Sequence, residues 1–82
     1  SLSLFPNPAT AQTTLTMILP ERGSVEVRLT SITGQQVQGK NVGELTSGKH
    51  QINLDLQHLT PGIYFCTVQV NNERITQKLV VN

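Results

Sequence analysis

The chain contains no tryptophan, one tyrosine, two phenylalanines and a single cysteine in 82 residues. Phe5, Tyr64 and Phe65 are too few and too scattered to form a stacking platform for sugars or bases. Cys66 stands alone, which excludes an internal disulfide and a Cys-x-x-Cys zinc site. A strand interior gives a thiol no electropositive setting, so Cys66 is expected to act as a small buried hydrophobe. Charge is scarce too, at 13% of residues with a net charge of +1. The six basic residues (Arg22, Arg28, Lys40, Lys49, Arg74 and Lys78) are dispersed, and without a positive stripe no nucleic-acid partner is expected. No apolar run approaches the ~20 residues of a membrane-spanning helix, so no transmembrane segment is expected. There is neither an initiating Met nor a signal peptide, from which the chain is expected to be a fragment of a longer protein.

Signals for chemistry are equally thin. His50 and His58 lie eight positions apart without the acidic or thiol partners that metal binding or general-base work requires, so they are expected to be ordinary solvated or packed histidines. There is no Gly-x-Ser-x-Gly elbow, no glycine-rich phosphate loop and no calcium-loop pattern. A single domain over 1–82 buries roughly 60–65% of its unfolded surface, which leaves little material for a walled pocket. No catalytic activity, metal or cofactor is therefore expected.

What the chain does have is alternation. Leu15, Met17 and Leu19 alternate with polar neighbours in TTLTMILP, Val25, Val27 and Leu29 in SVEVRLTSI, and Ile52, Leu54 and Leu56 in HQINLDLQ. A period of two puts one face of a strand into a core and the other into water. Turn signals separate these runs: PERG, TGQQ with Gly34, TSGK, TPGIY, and VNNE, where Asn71 and Asn72 suit the positive φ of a tight hairpin. About seven strands result, near 2–5, 13–19, 24–32, 36–42, 49–56, 63–70 and 74–81. Seven short antiparallel strands without a helix predict an all-β, immunoglobulin-like sandwich of two sheets, with a closed barrel as the alternative.

Two local features carry further expectations. In SLSLFPNPAT, Pro6 and Pro8 bias Phe5 and Asn7 towards extended backbone and cannot donate to a sheet ladder. The segment should be a stiff handover from the first strand to the second, with the Asn7 side chain free to satisfy a nearby backbone group. In LTPGIYFC, Tyr64 follows a Pro-Gly turn and precedes Cys66 by two, the spacing of a tyrosine corner. Tyr64, Cys66, Val68 and Val70 should then face inward. Ile63 and Phe65 should face outward, either covered by a neighbouring turn or forming a small apolar docking patch. In ERITQKLVV, Ile75, Leu79 and Val81 should point in, with Thr76, Lys78 and Val80 out, on a strand at or near a sheet edge.

Four stretches in order, FPNPA at 5–9, VRLTSITGQQV at 27–37, INLDLQHLTPGIYFCTV at 52–68 and TQKLVV at 76–81, resemble the C-terminal sorting domain of the type IX (Por) secretion system, type A subfamily. The matching positions are Pro6, Asn7, Pro8, Gly34, Asp55, Leu56, Leu59, Gly62, Tyr64 and Lys78, while the final Asn82 departs from the basic residue on which many such domains end. The resemblance implies a non-catalytic address label at the end of a secreted protein of a Gram-negative bacterium. The expected partners are an upstream cargo, the outer-membrane translocon that recognises the folded domain, and a cell-surface sortase that removes it and attaches the cargo to lipopolysaccharide. The competing expectation is a generic immunoglobulin-like accessory module, such as a carbohydrate-binding one.

Overall fold

In a run such as TLTMIL the apolar side chains share a face only if the backbone is extended, and the whole chain follows that rule. The computed structural model describes residues 2–82. It contains β1 (Leu2–Phe5), β2 (Gln12–Leu19), β3 (Gly23–Ser31), β4 (Gln36–Leu45), β5 (Gly48–Asp55), β6 (Gly62–Val70) and β7 (Glu73–Val81). All pair antiparallel, and no helix occurs among the described residues.

The strands divide into a three-stranded sheet, β1-β2-β5, and a four-stranded sheet, β4-β3-β6-β7. This is a sandwich and not a barrel. In immunoglobulin lettering the first sheet is A-B-E and the second carries C-F-G, with the fourth strand beside C as C′. Packing the two inner faces buries Leu15, Met17 and Leu19 of β2 against Val25, Val27 and Leu29 of β3. Ile52, Leu54 and Leu56 on one sheet and Tyr64, Cys66, Val68, Leu79 and Val81 on the other complete the core. Val70, expected inward, packs against this core but is only half-buried.

Strand limits depart from expectation by a residue or two, except that β4 runs on to Leu45. Two register shifts on its pairing with β3 let it do so, with Gly43 at φ 89° between Val42 and Glu44. Such bulges twist an edge strand and blunt its capacity to recruit another chain. Ile75 corrects the inward assignment: it lies on the inner-face parity of β7 but is 48% exposed. Parity alone buries nothing; the facing sheet must extend far enough to cover the residue.

Candidate recognition surface

The first two strands are joined by Pro6, Asn7 and Pro8, with cis peptide bonds at Phe5–Pro6 and Asn7–Pro8. Thr13, fully buried, anchors this segment by donating its hydroxyl to the Pro6 carbonyl at 2.8 Å. The segment lies along the outer edge of β7. The Asn7 amide Nδ2 donates to the Lys78 carbonyl at 2.9 Å, and Asn7 Oδ1 accepts from the Val80 N–H at 3.0 Å. Next along the edge, the Ala9 N–H donates to the Val80 carbonyl and the Asn82 N–H to the Ala9 carbonyl, both at 2.8 Å. Proline has no N–H to offer such an edge. The Asn7 carboxamide, one donor and one acceptor on a short arm, does what a peptide unit would do there.

The link between β5 and β6 is locked differently. Asp55 Oδ1 accepts from the Gln57 N–H at 3.0 Å, which bends the chain as β5 ends. Leu56 is buried and Leu59 packs against the core, with the Leu59 N–H bonded to the Leu56 carbonyl. After Gly62 opens β6, the Tyr64 hydroxyl reaches back to donate to the Thr60 carbonyl at 2.6 Å. That is the tyrosine corner expected from the sequence. Gly34, at φ 93°, makes the turn from β3 to β4, its N–H bonded to the Ser31 carbonyl. An L-residue is disfavoured at that φ because its Cβ crowds the backbone.

The registers bring all of these to one end of the sandwich. Gln12 is opposite Asp55, Ser31 opposite Tyr64, Gly62 opposite Val81, and Ala9 bridges to Val81. Pro6, Asn7, Pro8, Gly34, Asp55, Leu59, Gly62 and Tyr64 thus cluster with Lys78 at the same end. Most of them hold backbone; Lys78 instead presents an exposed charged side chain, on edge strand β7 opposite Phe65. Beside it on the outer face Ile63 pairs with Val80, Ile63 being 44% exposed and Phe65 half-buried. The two therefore point outward as expected, with Phe65 partly covered by its neighbours. Farther along β7, alternation turns the N–H and C=O groups of Arg74 and Thr76 to the same free side as those of Val80. Asn7 and Ala9 do not reach that part.

Ala9 and Thr13 are the residues sequence reasoning missed. Their only signal is smallness beside a proline pair, which does not reveal a backbone bridge to a strand some seventy positions away.

Burial pushes the Cys66 thiol up to about 11. No cluster of His, Cys, Asp and Glu suited to a metal occurs among the described residues. His50 Nε2 lies 2.7 Å from the Thr46 carbonyl oxygen, to which its ring N–H donates. At the opposite end of the sandwich an open groove of about 400 Å³ separates the sheets where no pocket was expected. Apolar side chains such as Met17, Leu19, Val68 and Ile75 line it together with Glu21, Asn71, Asn72 and Glu73.

A family model described as "Secretion system C-terminal sorting domain" matches residues 3–82. No curated protein matches the chain.

Proposed function

Since the chain belongs to the C-terminal sorting domains of the type IX secretion system, which direct an attached cargo to the cell surface or beyond it, we propose that it is a non-catalytic type A label whose motif end is the surface read during export. The reader is the outer-membrane translocon of a Gram-negative bacterium, which takes the folded domain from the periplasm. A cell-surface sortase then removes the label and attaches the cargo to lipopolysaccharide.

One observation carries this proposal: the motif residues, scattered from Pro6 to Lys78, converge on one end, where all but Lys78 fix backbone. They hold in place a surface made of the Lys78 ammonium and the outward apolar pair Ile63 and Val80. A partner carrying a carboxylate opposite Lys78 and an apolar side chain against Ile63 and Val80 would complement it. Preorganisation matters because a surface that need not be ordered on contact loses less entropy when it binds.

The test fuses residues 1–82 to a periplasmic reporter in a type IX-competent cell. The reporter should reach the surface, and only when the translocon is intact. One that stays in the periplasm supports the accessory-module alternative instead. Within that fusion, Lys78→Glu should lower export several-fold while leaving thermal unfolding unchanged, since the side chain is exposed and makes no hydrogen bond. Lys49→Glu, the same charge change at the far end beside Ile18, is the control and should export normally. Normal export of the Lys78 variant removes that residue from the surface being read.

A further inference from the structure

Part of β7 carries a bare edge that is complementary to itself. The Lys78 carbonyl and both backbone groups of Val80 point away from β6 and are taken up by Asn7 and Ala9. Alternation turns the N–H and C=O groups of Arg74 and Thr76 to the same side, where no strand pairs with them among the described residues. The open stretch runs from Glu73, just past the Asn71–Asn72 turn, to Gln77, just before Asn7 takes over. At its centre Ile75 is 48% exposed and borders the far-end groove. Unpaired backbone groups flanking an exposed isoleucine are a template for another strand.

We propose that this edge pairs with β7 of a second copy of the chain, antiparallel about a two-fold axis through Ile75. The inference goes beyond the sorting role and does not rest on it. Register and charge select the arrangement. Centred on Ile75, Arg74 of each copy falls opposite Thr76 of the other, and Glu73 opposite Gln77. Both Arg74–Thr76 pairs are then of the hydrogen-bonded kind, each exchanging two N–H···O bonds. The two Ile75 side chains meet at the axis and cover each other. Gln77 uses one N–H on the Leu2 carbonyl and has a second to donate to the facing Glu73 carboxylate. Moving the centre to Arg74 sets two guanidinium groups against each other. Moving it to Thr76 sets Arg74 against Lys78 twice, and like charges directly opposite destabilise a sheet. A shift of half that step mates inward faces with outward ones. Because the axis uses the same five residues on both copies, the pairing closes and leaves none of this edge for a third. It stops at Gln77, so Lys78, Ile63 and Val80 of each copy stay readable, at opposite ends of the dimer.

The test introduces one cysteine at a time; Cys66 is fully buried and does not compete. At the axis the two Cα atoms of position 75 stand about 4.5 Å apart, inside the span that a disulfide bridges. Under copper phenanthroline oxidation Ile75→Cys should therefore form a covalent dimer about tenfold faster than Glu73→Cys, whose two copies lie about 13 Å apart. Mixing Glu73→Cys with Gln77→Cys should restore the fast rate, because those positions face each other. Equal rates for Ile75→Cys and Glu73→Cys, or no gain on mixing, overturn the proposal. Amide exchange at Arg74 and Thr76 of the natural chain supplies a measurement free of cysteine. Protection should grow as protein concentration rises towards ~1 mM, since so small an interface associates weakly. Thr76→Arg sets two guanidinium groups opposite each other and should abolish that growth. Absence of protection overturns the pairing, as does growth that survives Thr76→Arg. So does protection that ignores concentration, since the occupant is then part of the same chain, or protection that needs outer-membrane fractions, since it is then a different partner. Failure of the reporter to reach the surface would sink the sorting role and leave these outcomes untouched.

Discussion

Among single residues, Cys66 is a titratable group sealed from water. It sits on β6 opposite Leu29, fully buried, and burial raises its pKa from 9.0 to about 11 because the thiolate would lose its hydration. The folded chain thus holds the proton over a range in which the unfolded chain has released it. Stability from this source is complete below pH 9 and is lost as pH climbs from 9 towards 11. A shift of that size corresponds to about 2–3 kcal/mol. Between pH 8 and pH 10.5 the urea midpoint should therefore fall more steeply for the natural chain than for Cys66→Ala. Parallel slopes would show that the thiol is hydrated in the folded state. The burial of Cys66 was legible in the sequence from its alternation with Tyr64 and Val68, whereas the exposure of Ile75 was not. Both obey the same period of two, but only the facing sheet settles whether an inward position is covered.

At the level of the element, edges decide behaviour. β4 is blunted by its bulges. β7 is instead closed over its last part by Asn7 and Ala9 and left open from Arg74 to Thr76. Asn7→Ala removes the donor to Lys78 and the acceptor from Val80 together. At a net value of about 0.5–1.5 kcal/mol per bond, and with both bonds exposed, the loss should be about 1–2 kcal/mol in urea unfolding. Asn7→Asp keeps the acceptor but sets a carboxylate against the Lys78 carbonyl, so it should not rescue. Unchanged stability of both variants would mean that water serves this edge as well as Asn7 does. That some backbone group would take up the Asn7 side chain was expected from the flanking prolines. The identity of that group was not, because it lies 71 positions away. The hairpin between β6 and β7 shows a similar division: two asparagines were expected to supply positive φ, and Asn71 alone does so, at 54°.

For the whole molecule, the first and last strands are interdependent. The N-terminal segment contributes Leu4 and Ala9 to the core and shields β7, while β7 contributes Leu79 and Val81. Removing residues 78–82 exposes the positions these two side chains cover. At about 2–5 kcal/mol for each large buried side chain, the loss rivals the total stability of roughly 4–12 kcal/mol for a domain of this size. The truncated chain should therefore be unfolded, without a cooperative thermal transition, whereas Lys78→Glu should melt like the natural chain. A truncated chain that still melts cooperatively would show the last strand to be peripheral. The pair separates two ways of abolishing export, loss of the fold and loss of the surface.

The sequence by itself determined the strands, their inward faces and the tyrosine corner at Tyr64, because these depend on neighbours two to four residues apart, and the family, because four short stretches follow one another in order. Alternation and turn chemistry are local, and each stretch of the motif is short. Only the tertiary structure decided the division into sheets, the closing of β7 by Asn7, the gathering of the motif at one end and the open margin at Ile75. Each of these joins strands distant in the chain, and a period of two says which side of a strand is buried without saying what lies against it.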